Sequence, residues 1–307
     1  MANLKSWISA FRLRTLPLSI SGTIVGSGYA YFLGYFDWLI FSLLILTTLS
    51  FQILSNLAND YGDGVKGTDN DSRLGPKRAI QSGTISPKQM RRAVVLNTLI
   101  SALLSIILIW VSLGKQQLLT AIIFLILGGL SIYAAITYTV GKSAYGYRAL
   151  GDIMVFLFFG LVSVFGTFFL FAKHIDFRLI FPASTIGLLS AAVLNLNNMR
   201  DLNSDLKSKK FTLAGLLGIR QAKLYHCFII LLALLSMIVF QIILMFSKLI
   251  LISWVAFVPL LFHLRAVNKI KNSKHFDPHL KLVALSTFVL SFLFSAALII
   301  EHYFLMN

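Results

Sequence analysis

Charge is scarce in these 307 residues. Only 12% of them are Asp, Glu, Lys or Arg, about half the share usual in a soluble domain. With 57% of the chain hydrophobic, a water-soluble globule has too little polar surface to cover its apolar side chains, which excludes a soluble enzyme or binding module. Cysteine is nearly absent: the single Cys227 excludes an intramolecular disulfide and a cysteine metal cluster. Acid is rarer than base, with 11 Asp and Glu against 27 Lys and Arg and a formal net charge of +16. Short segments of alternating apolar and polar residues are missing too, which excludes an outer-membrane barrel. The N-terminal stretch MANLKSWISAFRLRTLPLSISGTIVG lacks a short apolar core followed by a small-residue cleavage site. It reads as a retained first helix, not a removable signal.

What the chain has is long apolar runs. Hydropathy predicts nine membrane spans, at about 14–35, 38–58, 92–113, 117–139, 149–172, 178–199, 222–246, 248–266 and 281–304. The expected fold is therefore all-α, a polytopic membrane protein with nine transmembrane helices in one bundle and a single domain over 1–307. Counted against those spans, 23 Lys and Arg fall on one side and 4 on the other. An asymmetry of this size puts the N-terminus and the basic loops in the cytoplasm, in a cell inner (plasma) membrane. Most of the positive charge is then topology signal and anionic-lipid contact, and a nucleic-acid partner is excluded for want of a soluble basic domain.

Carboxylates have no topological reason to follow the lysines, yet most of them do. The stretch NLANDYGDGVKGTDND (56–71) holds Asp60, Asp63, Asp69 and Asp71. Asn56, Asp60 and Asp63 are spaced i, i+4, i+7, which is one face of a helix continued to residue 63. In LNLNNMRDLNSDLKSKKFTLAG (194–215), Asn197, Asp201 and Asp205 run i, i+4, i+8. Each set is an amide and two carboxylates at the basic end of an even-numbered span, and four helices separate the sets. The spacing suggests that the second and sixth spans face each other.

Two facing carboxylate sets repel unless a cation neutralises them, and oxygen-only ligands favour Mg²⁺ or Ca²⁺. Beside them lie Lys66, Arg73, Lys77 and Arg78 in one loop and Arg200, Lys207, Lys209 and Lys210 around the other. Acid and base together suit a diphosphate, the metal bridging carboxylate to phosphate oxygens and the cations binding the remaining charge. Turn chemistry alone explains either Asp cluster, but not two with matching spacing. Six histidines are scattered without metal-ligand spacing. Ser86 and Pro87 of ISPKQM predict an N-cap and first helical residue.

NDYGD (59–63) and DLNSD (201–205) resemble the two Asp-rich motifs of the UbiA-type intramembrane prenyltransferases. Three stretches, 56–90, 138–169 and 196–218, are most similar to the menaquinone branch of that family, though Lys209-Lys210 stands where the branch commonly has Gly-Lys. The resemblance implies that Asp60, Asp63, Asp201 and Asp205 form the catalytic metal site, with Asn56, Asp69 and Asn197 as further candidate ligands. It implies that the bound ion is Mg²⁺. It implies that a polyprenyl diphosphate is held by Lys66, Arg78, Arg200 and Lys210 with Asn56, Asn59 and Asn197. It implies that the prenyl group passes to 1,4-dihydroxy-2-naphthoate with decarboxylation, giving demethylmenaquinol. Tyr138, Lys142, Tyr145, Tyr147, Arg148 and Asp152 form a polar, aromatic loop that suits an acceptor contact or lid. Competing readings are the same transfer to another aromatic acceptor, such as 4-hydroxybenzoate, and a secondary transporter, whose carboxylates belong near the bilayer midplane at broken helices.

Replacing Asp60 or Asp201 by Ala separates these readings. An enzyme of this kind loses Mg²⁺-dependent turnover in both variants, measured as prenylated product; near-normal turnover in either removes the metal assignment.

Overall fold

The computed structural model describes residues 3–70, 73–243 and 248–306; Asp71 lies outside them. No β-strand occurs among the described residues, only an isolated bridge between Arg148 and Phe211. A short helix α1 (Leu4–Phe11), capped by the Asn3 side chain, leads into α2 (Leu16–Phe32). There follow α3 (Trp38–Val65), α4 (Pro87–Leu113), α5 (Leu118–Thr137) and α6 (Gly151–Ala172). The last four are α7 (Ile180–Lys207), α8 (Leu213–Ile243), α9 (Lys248–Lys269) and α10 (Phe276–Met306). Ser86 and Gln89 close a capping box on α4, with Pro87 at its first position, which starts that helix five residues before the apolar run does.

Among the described residues, the eight helices α3 to α10 are long and apolar enough to cross a membrane, one fewer than hydropathy predicts. The exception is α2. Its 17 residues reach about 25 Å at 1.5 Å per residue, short of the roughly 30 Å hydrocarbon layer. It runs inside the bundle against α6 and α10, with Ser19, Ser21, Thr23 and Ser27 all buried. The protein is a multi-pass, all-helical membrane protein.

Two lengths position the site. α3 and α7 each have 28 residues, about 42 Å of helix, so each projects some 12 Å beyond the hydrocarbon layer. The predicted spans end at 58 and 199 because charge begins there, but the helices go on for another seven or eight residues. That overshoot carries Asp60, Asp63, Asp201 and Asp205 on ordered helix out of the apolar zone. The two motif helices are joined at these ends by ion pairs described below, while α2 touches both.

Close approach of α6 to α7 rests on two glycines. A Cβ on Gly160 would stand 2.6 Å from the Ala183 carbonyl oxygen, and one on Gly187 2.7 Å from the Phe156 ring. The π-helical stretch Phe156–Val162 in α6 lies at this crossing. Small residues are what allow membrane helices to pack backbone to backbone. A histidine chain ties the other side of the bundle: His226 and His263 share a 2.7 Å Nε2–Nε2 hydrogen bond, and His263 and His279 a 2.8 Å Nδ1–Nδ1 bond. Sequence spacing hides this chain, since its members sit on three helices. Because His263 spends one nitrogen on each neighbour, the three do not converge on a common metal.

Gly187→Val forces the α6–α7 contact apart and costs about 1–3 kcal/mol as overpacking. Thermal unfolding of the purified protein in detergent reads this as a lowered midpoint, and an unchanged midpoint contradicts the close crossing.

Candidate functional site

The site starts from the last turn of α3. Asp60 and Asp63 are 2% and 1% exposed. Asp60 accepts backbone N–H groups of Ala79 (3.0 Å, Oδ2) and Ile80 (3.3 Å, Oδ1), so it pins the returning loop to the helix. Asp63 gathers charge: Arg78 Nη1 lies 2.6 Å and Lys210 Nζ 3.3 Å from its Oδ2, and the Tyr147 hydroxyl donates to its Oδ1 at 2.8 Å. Since that hydroxyl has one proton to give, Thr68 donates to the Tyr147 oxygen in turn, at 2.6 Å. Gly62 of NDYGD is dictated by Thr139, whose Oγ1 would be 2.5 Å from any Cβ there.

From Asp63 the network spreads to the second motif. Arg78 Nη1 also binds Asp69 Oδ2 at 2.9 Å and donates to the Asn59 carbonyl oxygen at 3.1 Å. Arg73 bridges the motifs, its Nε 3.3 Å from Asp69 Oδ1 and its Nη2 3.4 Å from Asp201 Oδ2. Arg200 clasps Asp201 with two nitrogens, at 3.0 and 2.7 Å, and spends the rest on Asp277 (2.5 Å) and Asn197 Oδ1 (2.8 Å). After α7 ends, Lys209 adopts a left-handed φ of 56°, and the Lys210 N–H donates to the Asp205 carbonyl at 2.8 Å. That turn brings the Lys210 ammonium between Asp63 and Asp205, 4.0 Å from the latter's Oδ1. The branch's usual glycine at the Lys209 position is explained by this φ.

Burial alone would lower the ionisation of Arg78 and Lys210. The negative charges of Asp63 with Asp69, and of Asp63 with Asp205, more than reverse that, and both cations are held above their ordinary values. Asp69 moves the other way for a carboxylate: burial raises it, Asp63 adds to the rise, and the pull of Arg78 does not cancel them. Tyr147 is raised by burial and then by Asp63, so it stays a neutral donor.

Other expected residues fall into two groups. Lys66 lies at the rim, its Nζ 4.2 Å from the Tyr147 ring centroid and donating to the Thr139 carbonyl at 2.7 Å. Asn59 Oδ1 accepts from Thr139 Oγ1 at 3.3 Å. Asn56 turns away from the carboxylates and donates to the Phe11 carbonyl (2.9 Å) and Thr15 Oγ1 (3.1 Å). Lys142 and Arg148 are exposed, with Arg148 on Ser143, and Tyr145 gives its hydroxyl to the Ala134 carbonyl; the structure does not bring these three to the carboxylates. Tyr138 packs edge-on against Tyr145 beside Gly151. Burial and then Asp152 hold its hydroxyl above its ordinary value. Asp152 is 3% exposed, and neither of its oxygens completes a hydrogen bond, although the Tyr225 hydroxyl stands near. Sequence reasoning missed Asp277 and Tyr225, which come from helices far along the chain and carry no local pattern.

Among the described residues no three His, Cys, Asp or Glu side chains converge as a ready-made metal cage. The carboxylates are paired to Arg, Lys and backbone N–H groups instead. Their all-oxygen chemistry and their split between two helix ends fit a hard dication that takes its remaining ligands from a phosphate.

The fold and site are those of a polytopic membrane protein that carries a buried carboxylate–arginine lattice across two projecting helix ends. The chain belongs to the UbiA prenyltransferase family, which it matches over residues 19–286, and is a membrane-embedded prenyltransferase. It is 47% identical over 222 residues to the 1,4-dihydroxy-2-naphthoate octaprenyltransferase of Escherichia coli (strain K12), covering 72% of this chain and 71% of that protein. To the protein of that name from Haemophilus influenzae it is 44% identical over 241 residues, 78% of each chain. The apo structure of a UbiA homolog from Aeropyrum pernix K1 shares the fold, with a TM-score of 0.69 at 15% identity over 94% of this chain and 98% of that one.

Two substitutions probe the lattice. Arg78→Ala leaves Asp63 to Lys210 and Tyr147 and Asp69 to Arg73 and lowers stability by about 1.5–3 kcal/mol, the loss of hydrogen bonds to charged groups, whereas Lys209→Gly relieves the left-handed backbone and raises it by about 0.5–1 kcal/mol. Thermal unfolding in detergent checks both signs.

Proposed function

We propose that the chain transfers a polyprenyl group from its diphosphate to 1,4-dihydroxy-2-naphthoate. The prenyl C1–oxygen bond breaks and diphosphate leaves with the electron pair. A new bond forms between C1 and the ring carbon bearing the carboxylate, and carbon dioxide departs, giving demethylmenaquinol. The observation that carries this reading is the juxtaposition of the two Asp motifs with five basic side chains, in a chain 44–47% identical to two curated octaprenyltransferases of this substrate.

The residues do this by exchanging partners. Arg78, Arg73, Lys210 and Arg200 neutralise carboxylates in the lattice, and Lys66 stands at its rim. An arriving diphosphate offers these cations stronger acceptors, and Asp60, Asp63, Asp201 and Asp205, with Asp69 beside them, would hold the accompanying Mg²⁺. When bound, that ion supplies Lewis-acid stabilisation of the leaving diphosphate. Tyr147 and Asn59 keep the end of α3 and the 138–147 loop together while charge moves. Arg200 is held by Asn197 for the same reason. The apolar wall of the bundle keeps water from the allylic cation. Asp152, buried with neither oxygen in a hydrogen bond, and the half-buried Tyr138 are placed for a hydroxyl of the acceptor. On this reading one domain covers 1–307, and the 23 Lys and Arg that the predicted spans put on the motif side support a site facing the cytoplasm at an inner (plasma) membrane.

Purified protein in detergent, given Mg²⁺, a polyprenyl diphosphate and the naphthoate, should yield a decarboxylated, prenylated naphthoquinol by mass, and none with EDTA. Product from 4-hydroxybenzoate but not from the naphthoate moves the assignment to another acceptor. No product from folded protein with either acceptor contradicts the reading.

A further inference from the structure

Arg12 is a second kind of cation in this site. Read from sequence it is one of the basic residues that set topology. In the structure it ends α1 in a left-handed conformation, φ 51° and ψ 58°, a costly state for a residue with a side chain. The backbone there is over-determined. Arg12 N–H donates to the Ser9 carbonyl at 3.1 Å, and the Arg12 carbonyl accepts from both Thr15 N (2.8 Å) and Thr15 Oγ1 (2.9 Å).

On either side of Arg12 the chain is gripped by one amide of α3. Asn56 Nδ2 donates to the Phe11 carbonyl and to Thr15 Oγ1, and Gln52 Nε2 supports it by binding Asn56 Oδ1 at 3.2 Å and Thr15 Oγ1 at 3.4 Å. Asn56 stands one helical turn before Asp60. It is therefore spent on holding the 11–15 turn against the catalytic helix, which is why it does not face the carboxylates.

That grip directs the guanidinium into the lattice. Arg12 lies within electrostatic reach of Arg78, Asp60, Arg73 and Asp69, and its Nη2 is buried with no hydrogen-bond partner. No neighbouring carboxylate completes a hydrogen bond with it. Asp60 has both oxygens on backbone N–H groups, and Asp69 accepts from Arg78 at Oδ2 while its Oδ1, 3.3 Å from Arg73 Nε, is itself left without a hydrogen bond. Burial, reinforced by the like charge of Arg78, brings Arg12 down to about 9. A buried guanidinium nitrogen left unpaired among other arginines is a costly arrangement that an anion would complete.

We propose that Arg12 binds the diphosphate of the prenyl donor directly, and that Asn56 is the residue that positions it. This rests on the reading of the site as a diphosphate site. The chemistry is charge-assisted hydrogen bonding to phosphate oxygen; a carboxylate on the aromatic acceptor is the other source of a suitable oxyanion. The donor is favoured because Arg12 shares its surroundings with Asp60, Asp69, Arg73 and Arg78.

The test measures binding of inorganic diphosphate with Mg²⁺ to the purified full chain in detergent, by calorimetry, with a separate titration of the naphthoate. Arg12→Ala should weaken diphosphate binding about 10- to 100-fold, the loss of one charge-assisted contact, and Arg12→Lys should recover part of it. Arg14→Ala, an exposed neighbour, should leave it unchanged. Asn56→Ala should weaken binding about 5- to 10-fold, and the double variant should be no weaker than Arg12→Ala alone, as expected of two residues acting as one unit. A merely structural Asn56 would give additive losses instead. Diphosphate affinity within twofold of the original in Arg12→Ala overturns the proposal, including when naphthoate affinity falls. If Asn56→Ala does not fold, the alanine and lysine variants of Arg12 decide the matter. A parent chain that binds no Mg²⁺–diphosphate overturns both the proposal and the diphosphate reading; a parent that binds it as tightly as Arg12→Ala overturns the proposal alone.

Discussion

Asp63 sits in the last turn of α3, almost wholly removed from solvent, and is met by Arg78 from the loop after α3, Tyr147 from the loop after α5 and Lys210 from the turn after α7. Three segments that are far apart in the chain are thus fixed by one carboxylate. The rest of the site hangs from this junction: Arg78 reaches on to Asp69, Arg73 crosses to Asp201, and Arg200 carries the chain of pairs to Asp277 at the start of α10. The geometry of both Asp motifs depends on it.

Such a lattice is not a source of great stability. Taking several charges out of water costs several kcal/mol per ion, and the pairing roughly offsets that cost. What the lattice gives is balance. Asp63, Asp69, Asp201 and Asp205 each have a basic partner that also suits phosphate, so a diphosphate with its dication exchanges one set of pairs for another. A rigid metal cage lacks that property, since its empty carboxylates would repel. The overshoot of α3 and α7 beyond the hydrocarbon layer is the second requirement: it keeps the lattice on ordered helix while placing it where a charged headgroup can arrive and an isoprenoid tail can remain in the apolar layer.

The Asp motifs were legible because acid is so rare in this chain that two matching clusters stand out. Hydropathy placed the spans but stopped α3 and α7 early, since it reads charge as the end of a membrane segment when the helix itself continues. It also counted α2 as a full span; at 17 residues α2 is shorter than the other eight and runs inside the bundle, from the turn gripped by Asn56 at the motif end to Tyr29, whose hydroxyl donates to Asp176 ahead of α7. Arg12 was hidden among residues that explain themselves by topology. Asp277 and Tyr225 were hidden by distance in sequence, and the histidine chain by its distribution over three helices. Asn56 was legible as an amide in line with the carboxylates. Its actual partners, a carbonyl and a hydroxyl 45 and 41 positions away, are matters of tertiary packing that no local pattern encodes.

The exchange of partners is the central claim, and it is open to direct observation. A structure of the chain with Mg²⁺ and a non-reactive thiolo analogue of a polyprenyl diphosphate would show where Arg78 and Lys210 go. The account requires both to leave Asp63 for phosphate oxygens, with Asp63 and Asp201 turned to the metal. If the analogue were bound elsewhere, with the pairs on Asp63 intact, the account would be contradicted.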